Sequence, residues 1–343
     1  MPAEWSPHAG TWISWPHNPE TWPGTLEAAR AVMTEAVVAL APAEPVYINV
    51  NDEVARADVL RRLHGRVPAG QVSLEPIPTD DAWIRDYGAI IVRDAQVPGG
   101  FAACDFAYNA WGGKYPPWDR DRAVARRMAE RLGLPCLASD LILEGGSVEV
   151  NGEGLGLVTE QCLLNPNRNP ERTRAEIEAI LADFLGIEET VWLGDGVVGD
   201  DTDGHIDNLA RFFGPRSVVT IVEPDRADPN HASLADNLAR LNAFRDTEGR
   251  ALEVVELPVP APVMHDGARL PASYANFYIA NGIVLMPAYG GPRDEAARAV
   301  LASCFPERRI VPIDCRPLVV GLGALHCLTQ QIPVIVPSSS PSH

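Results

Sequence analysis

Hydrophobic and polar residues follow two periods along the chain, one typical of helices and the other typical of strands. The helical period, in several places with Asp or Pro at its start, predicts helices at 24–40, 52–63, 119–132, 170–185, 229–244 and 293–303. Short apolar runs predict strands at 46–50, 72–77, 89–92, 156–159, 217–222, 252–257, 283–286 and 310–313. Strands that alternate with helices over the whole length predict an α/β fold.

A longer pattern recurs five times, in which a polar residue at a tight turn is followed by two apolar strands. It begins at Asp86, Glu144, His205, Ser273 and Cys327, so successive starts lie 58, 61, 68 and 54 residues apart. Five units of this size account for nearly the whole chain, and radial repetition would point the start of each first strand at a common axis. The alternative is an irregular two-domain α/β protein in which these starts share no common geometry.

No linker divides the chain, so we predict one domain over 1–335, followed by a frayed tail over 336–343 where Ser and Pro are frequent. The N-terminal segment lacks a basic start followed by an apolar run, and the uncharged stretches 270–292 and 317–342 are interrupted by Pro, Gly, Asn or Gln. We therefore expect neither a signal peptide nor a membrane span. Six cysteines without a Cys-x-x-Cys pair are most simply reduced thiols in a cytoplasmic protein.

The net charge of the chain limits the kinds of molecule that it is expected to bind. The chain has 46 acidic and 28 basic residues, which gives a net charge of −18. Nucleic acids and anionic membranes are bound by clustered Lys and Arg, so this balance argues against both as partners. It suits a small cationic substrate.

The most concentrated chemical signal is the acidic segment 195–207, which contains five Asp and His205 but no Lys or Arg. Like charges packed this closely favour a bound cation or a protonated partner. The segment could ligate a divalent metal. It could also bind an organic cation, with His205 as general acid/base and Asp207 as the binding carboxylate. A solvated acidic loop is the third interpretation.

Two further segments offer carboxylates in suggestive surroundings. Trp83 precedes Arg85 and Asp86, and a carboxylate beside a Trp can hold a planar cation through hydrogen bonds and a cation–π contact. An ordinary ion pair between Arg85 and Asp86 explains the same residues. Glu144 precedes two glycines, where the backbone can approach a ligand closely, although a turn between strands has the same composition.

Cys327 follows a glycine-rich segment and is the cysteine that we select as a nucleophile, with a small core hydrophobe as the alternative. His326 is not assumed to activate it, because successive residues of a strand face opposite sides. Together the candidate sites supply a thiol, a His and at least three carboxylates. Carboxylates bind a guanidinium, a thiolate can attack its carbon, and a His can protonate the leaving ammonia. This combination favours hydrolysis of a guanidino compound.

Six ordered motifs resemble the family of agmatine deiminases and bacterial peptidylarginine deiminases. They are PAEWSPHAGTWISWPH (2–17), DAWIRDYG (81–88), LEGGS (143–147), DTDGHIDN (201–208), ASYANFYIANG (272–282) and HCLTQQ (326–331). The resemblance runs from residue 2 to about 332. It implies a pentein-type fold, which is a five-bladed, pseudo-symmetric α/β-propeller of ββαβ units. It also implies a hydrolase without cofactor or metal that converts agmatine to N-carbamoylputrescine and ammonia.

The resemblance assigns roles to residues of the matching motifs. It implies Cys327 as the nucleophile that forms a covalent amidino-cysteine intermediate, and His205 as the acid/base. Asp86 and Asp207 would grip the guanidinium. Four further residues are candidate substrate-binding residues: Trp83, Glu144, Arg85 and Asp203.

The chain departs from the family near the expected substrate tail. Leu322 and Ala324 replace a Gly and an Asn before the nucleophile, and Asp203 stands where some members have Asn. The loop after Trp111 is short and carries Lys114, a cation with no assigned partner. A pocket rich in Asp and poor in Lys and Arg favours agmatine over free arginine, because the α-carboxylate of arginine requires a basic partner.

Other functions stay open on the sequence alone. A deiminase or amidinotransferase could act on arginine, peptidyl-arginine or another guanidine within the same fold. The acidic segment could serve a metal-dependent ureohydrolase, and an inactive propeller could act as a binding scaffold. The sequence is also compatible with a homo-oligomer.

Overall fold

The computed structural model describes residues 1–334, so the tail predicted at 336–343 lies outside the described residues. The strands are β1 (His8–Ser14), β2 (Val46–Asn49), β3 (Val72–Glu75), β4 (Ile90–Arg93), β5 (Phe101–Ala107), β6 (Cys136–Ile142), β7 (Glu149–Val150), β8 (Leu155–Thr159), β9 (Glu189–Leu193), β10 (Ala210–Gly214), β11 (Ser217–Val222), β12 (Glu253–Pro258), β13 (Met264–His265), β14 (Ala268–Arg269), β15 (Tyr278–Ala280), β16 (Ile283–Ala288), β17 (Arg309–Asp314) and β18 (Gln330–Pro333). The helices are α1 (Leu26–Leu40), α2 (Glu53–Leu63), α3 (Ile84–Tyr87), α4 (Ala110–Gly113), α5 (Val124–Leu132), α6 (Glu160–Leu163), α7 (Arg174–Leu185), α8 (His231–Ala243) and α9 (Pro292–Cys304).

The α/β fold is confirmed, and each predicted helix and strand is present with its ends displaced by a few residues. Several strands were not predicted, among them β5 and β6. In β6, exposed and half-buried residues alternate and the strand lies at the edge of its sheet, so it lacks the continuous apolar run of a buried strand. In β5 the apolar run is interrupted by Asp105.

Five sheets share one topology, in which the first strand runs antiparallel to the second and the second runs parallel to the third. A helix connects the second and third strands of each sheet, as expected for a parallel crossover. These sheets are β4-β5-β6, β7-β8-β9, β10-β11-β12, β15-β16-β17 and β18-β1-β2-β3. The last one joins the two ends of the described chain, since Trp12 of β1 pairs with Gln330 of β18.

The predicted repeat starts lie just before the first strand of each of these sheets. Asp86, Glu144, His205 and Cys327 precede β4, β7, β10 and β18, and Ser273 precedes β15. Helix α3 contacts the 3-10 turn Gly145–Ser147, which in turn contacts the 3-10 turn Ile206–Asn208. The polar ends of three sheets therefore meet at one place.

A continuous apolar core supports these turns, with Trp12, Trp15 and Trp22 among its fully buried side chains. A second cluster packs β4 and β5 against β8 and α7. Residues 1–334 contain no helix with the length and apolar character that crossing a bilayer requires.

Candidate active site

Three predicted site residues, Asp86 from the segment before β4 and His205 and Asp207 from the segment before β10, converge on Gly146. An ideal Cβ placed on Gly146 would lie 2.7 Å from His205 Nδ1, 2.8 Å from Asp86 Oδ1 and 3.2 Å from Asp207 Oδ2. These distances are too short for a methyl group beside polar atoms. Glycine is required here because the backbone passes directly against all three side chains.

Asp86 lies in α3, and both of its carboxylate oxygens accept hydrogen bonds. Trp111 Nε1 donates to Oδ2 at 2.9 Å, and the backbone N–H of Gly146 donates to Oδ1 at 3.0 Å. Trp111 reaches Asp86 from a left-handed backbone with φ 56°, a conformation that is costly for a residue with a Cβ. Burial raises the pKa of Asp86 to about 6, with His205 opposing this shift and other carboxylates reinforcing it.

His205 is fully buried between two carboxylates. Its Nδ1 lies 3.7 Å from Asp86 Oδ1, and its Nε2 lies 3.9 Å from Glu144 Oε2. Burial acts to lower the pKa of His205, but Asp86, Cys162 and Glu144 raise it well above its usual value. Neither ring nitrogen has a hydrogen-bond partner within residues 1–334, so the protonated ring can serve as a proton donor to a bound molecule.

Glu144 is bound by Arg168, which lies outside the six sequence motifs. Arg168 Nε donates to Glu144 Oε1 at 2.6 Å, and Arg168 also binds Asp203 Oδ2 at 2.7 Å. Burial acts to raise the pKa of Glu144, but the nearby His205 and the charge of Arg168 hold it below its usual range. Glu144 therefore stays ionised beside His205 and keeps that imidazole charged.

Asp207 is fixed by the residue that precedes the predicted nucleophile. His326 Nδ1 lies 2.8 Å from Asp207 Oδ2, and His326 Nε2 lies 2.8 Å from Glu4 Oε2. Burial acts to raise the pKa of Asp207, but the hydrogen bond and charge of His326 hold it below its usual range. In the described part of the chain Asp207 Oδ1 has no partner, which leaves it available to a cationic ligand.

Cys327 brings its thiol to this group of carboxylates. Its Sγ lies 3.5 Å from Asp207 Oδ2 and lines a cavity of about 680 Å³ that Asp86 and Trp111 also line. Burial, followed by the negative charges of Asp207 and Asp86, raises the pKa of Cys327 well above its usual value. The thiol is thus protonated at neutral pH until a cation enters.

Trp83 lines the same cavity and packs under the glycine-rich segment before the nucleophile. A Cβ on Gly323 would lie 2.5 Å from Trp83 Cζ3, and a Cβ on Gly321 would lie 2.9 Å from Trp83 Cζ2. Leu322, between these two glycines, adopts φ 71°. The segment can therefore cross the indole ring only because residues without side chains stand on both sides of Leu322.

The remaining cavity wall is strongly acidic. Besides Asp86, its carboxylates are Glu20, Asp80, Asp81, Asp121, Asp201 and Asp266. The guanidinium among its lining residues is that of Arg120, whose side chain is 61% exposed. This charge distribution favours a ligand with a second cationic group.

Of the predicted substrate-binding residues, Trp83 and Asp86 line the cavity, whereas Arg85, Glu144, Asp203 and Asp207 do not. Arg85 donates from Nη1 to Gln331 Oε1 at 2.7 Å and from Nε to the carbonyl of His326 at 3.3 Å, behind the nucleophile. Asp203 accepts hydrogen bonds from Arg168, Asn167 and Lys114. Arg85 and Asp203 therefore hold neighbouring residues in place, and this geometry does not support a direct contact of either side chain with substrate.

Lys114 is also engaged, contrary to the expectation that it has no partner. Its Nζ donates to the carbonyl of Asp201 at 2.6 Å and to Asp203 Oδ1 at 3.1 Å. The short loop that carries it is therefore tied to the acidic segment.

Within residues 1–334, one group of side chains has the composition of a metal site. One ligand atom each from Glu144, Cys162 and His205 lie within 4.8 Å of one another, and all three residues are buried. The aspartates of 195–207 have different partners, since Asp203 binds Arg168 and Asp207 binds His326. A metal site would therefore involve Glu144, Cys162 and His205, and not the acidic segment 195–207 as a whole.

Sequence reasoning missed several residues that build the site. Glu4 and Asn276 lie inside motifs that match the family, and this position was a signal that they belong to the site, although no role was predicted for them. The sequence marks Trp111 only through the short loop that follows it. Arg168 and Cys162 lie outside all six motifs, and nothing in the sequence marks them as neighbours of His205.

Comparison with known proteins gives a consistent result. A family model described as Porphyromonas-type peptidyl-arginine deiminase matches residues 1–333. A curated agmatine deiminase from Ectopseudomonas mendocina is 38% identical, over 97% of this chain and 95% of its own length.

Two solved structures of agmatine deiminases are similar to this chain over nearly their full length. The agmatine deiminase of Enterococcus faecalis aligns with a TM-score of 0.91 and 32% identity, covering 98% of this chain and 96% of its own. A cysteine-to-serine variant of C. jejuni agmatine deiminase with substrate bound aligns with a TM-score of 0.85 and 30% identity, covering 97% and 95%.

Proposed function

The chain belongs to the Porphyromonas-type peptidyl-arginine deiminase family, and we propose that it is an agmatine deiminase. The reaction converts agmatine and water to N-carbamoylputrescine and ammonia. The observation that carries this proposal is the meeting of two carboxylates and an imidazole around Gly146, with the Cys327 thiol 3.5 Å from Asp207 and beside an acidic cavity. Within residues 1–334 neither nitrogen of that imidazole has a hydrogen-bond partner.

Substrate binding uses the two carboxylates. Asp86 and Asp207 accept hydrogen bonds from the guanidinium nitrogens, and Asp207 Oδ1 is free to do so. Trp83 lines the cavity beside them and offers a flat face to the planar cation. The bound positive charge offsets the repulsion among the carboxylates and lowers the cost of ionising Cys327, whose proton passes to solvent.

Nucleophilic attack then splits the reaction into two steps. The Cys327 thiolate forms an S–C bond with the guanidinium carbon, and the protonated His205 gives its proton to the departing amino group, which leaves as ammonia. The product of this step is an N-alkyl thiouronium on Cys327.

Hydrolysis of that intermediate reverses the roles. The now neutral His205 removes a proton from water, whose oxygen bonds to the same carbon. The C–S bond breaks and its electron pair returns to sulfur. The proton of the new hydroxyl group passes to that sulfur as the carbonyl forms, and N-carbamoylputrescine is released. Glu144, held by Arg168, favours the protonated form of His205 and so favours this return of a proton to the ring.

The finer features of the fold and setting belong to the same proposal. The five sheets of one topology act as the blades of a pseudo-symmetric propeller in a single domain, and the site lies at the starts of their first strands. A thiol nucleophile has to stay reduced, which suits a cytoplasmic location. The assembly state is compatible with a homo-oligomer.

The test of this proposal is ammonia release from a panel of guanidines: agmatine, arginine, a peptidyl-arginine and creatine. We expect agmatine to be the preferred substrate and Cys327→Ser to abolish turnover, because a serine hydroxyl stays protonated where a thiol ionises. Cys136→Ser is the matched control, since Cys136 is exposed at the start of β6 and is not among the residues that line the cavity. Substantial activity of Cys327→Ser would contradict the nucleophile assignment.

A further inference from the structure

Asn276, in the loop before β15, is fully buried and directly contacts the predicted nucleophile. Its Nδ2 lies 3.0 Å from Cys327 Sγ, which is closer than the 3.5 Å between that sulfur and Asp207 Oδ2. Asn276 is 1% exposed, so no bulk water competes for this hydrogen bond. The motif that contains Asn276 has no part in the chemistry described above.

The orientation of the Asn276 amide is fixed by its other partners. Oδ1 accepts from the backbone N–H of His326 at 3.0 Å and from that of Cys327 at 3.4 Å. Because backbone N–H groups only donate, the oxygen has to face them and Nδ2 has to face the sulfur. The second Nδ2 hydrogen goes to Asn208 Oδ1 at 3.0 Å.

Charge explains why such a donor is useful at this position. The sulfur is buried beside two carboxylates, and both disfavour the thiolate on which attack depends. A neutral amide N–H stabilises negative charge on sulfur without adding a cation that would repel the guanidinium. An Arg or Lys in the same place would stabilise the thiolate but would also repel the guanidinium.

The contacts of Asn276 also link the nucleophile to the guanidinium-binding carboxylate. Asn208 belongs to the same 3-10 turn as Asp207, and Asn276 bridges that turn to the backbone of Cys327. One side chain therefore holds sulfur and Asp207 at a set separation.

We propose that Asn276 is a catalytic residue, which donates a hydrogen bond to the Cys327 thiolate when sulfur attacks and again when sulfur leaves. This inference rests on the proposed function for the reaction, although its contact with the thiol does not depend on which guanidine is the substrate. Loss of the donor should therefore affect thiol reactivity even in the absence of substrate.

The test compares Asn276→Asp with Asn237→Asp. Aspartate keeps an acceptor for the two backbone N–H groups but replaces the donor toward sulfur by an oxygen. Asn237 is an equally buried amide that accepts from the backbone N–H of Gly194 and donates to the carbonyl of Asp195, far along the chain. The Asn237→Asp variant therefore measures the general effect of replacing a buried amide by a carboxylic acid.

The first readout is the pH dependence of iodoacetamide alkylation, resolved peptide by peptide, with exposed Cys136 as the internal reference. We expect the midpoint for Cys327 to rise by at least ~1 pH unit in Asn276→Asp and to be unchanged in Asn237→Asp. The second readout is turnover of agmatine, where kcat should fall at least ~30-fold in Asn276→Asp while KM stays within ~3-fold. The Asn237→Asp control should stay within ~3-fold of the parent in both constants.

An unchanged alkylation midpoint in folded Asn276→Asp would overturn the inference, whatever the activity. If Asn276→Asp fails to melt cooperatively, Asn276→Ala replaces it, because that change removes the Nδ2 donor without adding a charge. It should then raise the Cys327 midpoint, and an unchanged midpoint would equally overturn the inference. A shifted midpoint in a protein with no activity on agmatine would support the role of Asn276 and contradict the substrate instead.

Discussion

His326, the residue directly before the predicted nucleophile, hydrogen-bonds Asp207 and not the thiol, with Nδ1 2.8 Å from Asp207 Oδ2. Its other ring nitrogen is bound to Glu4, so the imidazole is fully occupied. The histidine that adjoins the cysteine in sequence thus positions a carboxylate. The histidine that faces the cavity carboxylates, His205, comes from another sheet.

Gly146 should tolerate no side chain. We expect Gly146→Ala to lower kcat/KM for agmatine at least ~100-fold, because its Cβ would push His205 and Asp86 from their positions. The fold should survive, since the atoms that Cβ meets are the ends of side chains. Gly291→Ala is the matched control, because nothing lies within 4 Å of a Cβ there. Wild-type activity of a folded Gly146→Ala would contradict this geometry.

The pH profile should report Asp86. Its pKa is raised to about 6, so below that pH the protonated carboxyl can no longer grip a guanidinium. We therefore expect kcat/KM for agmatine to fall as pH decreases through about 6, while kcat, which reports the complex, falls at a lower pH because the bound cation favours the carboxylate. The measurement is initial rates of ammonia release across the acidic range. A flat kcat/KM down to about pH 5 would be inconsistent with this role.

Metal removal distinguishes the two interpretations of His205 and its neighbours. We expect activity to survive exhaustive dialysis against EDTA, and the purified protein to hold no stoichiometric zinc or manganese, because Glu144 is engaged with Arg168. Elemental analysis and assays before and after chelation provide the measurement. Loss of activity with EDTA and recovery with manganese would instead favour a metal centre at Glu144, Cys162 and His205.

The substrate tail should be a cation. The cavity carries six carboxylates besides Asp86 and one exposed guanidinium, so an α-carboxylate would find no buried partner. We expect kcat/KM for agmatine to exceed that for free arginine by at least ~100-fold. Lys114→Ala should not rescue or abolish this preference, since its ammonium is bound to Asp201 and Asp203. Equal kcat/KM values for the two substrates would contradict the prediction.

The sequence identified the elements and the polar residues at the starts of sheets, because periodicity and short motifs are local properties of a chain. It could not identify their partners. Glu4 and His326 are 322 residues apart and meet only because β18 pairs with β1. Arg85 looked like a ligand for substrate, yet its guanidinium turns to Gln331 behind the nucleophile. Side-chain direction of this kind depends on tertiary packing, which no local pattern encodes.

The central claim is covalent catalysis by Cys327, and mass analysis of the enzyme during turnover tests it most directly. Enzyme mixed with agmatine is quenched in acid and digested, and each cysteine-containing peptide is weighed. The account predicts that the Cys327 peptide gains the mass of agmatine minus ammonia, and that this adduct is missing from Cys327→Ser and from the Cys162 and Cys304 peptides. Turnover without an adduct on Cys327, or an adduct on another cysteine, would contradict it.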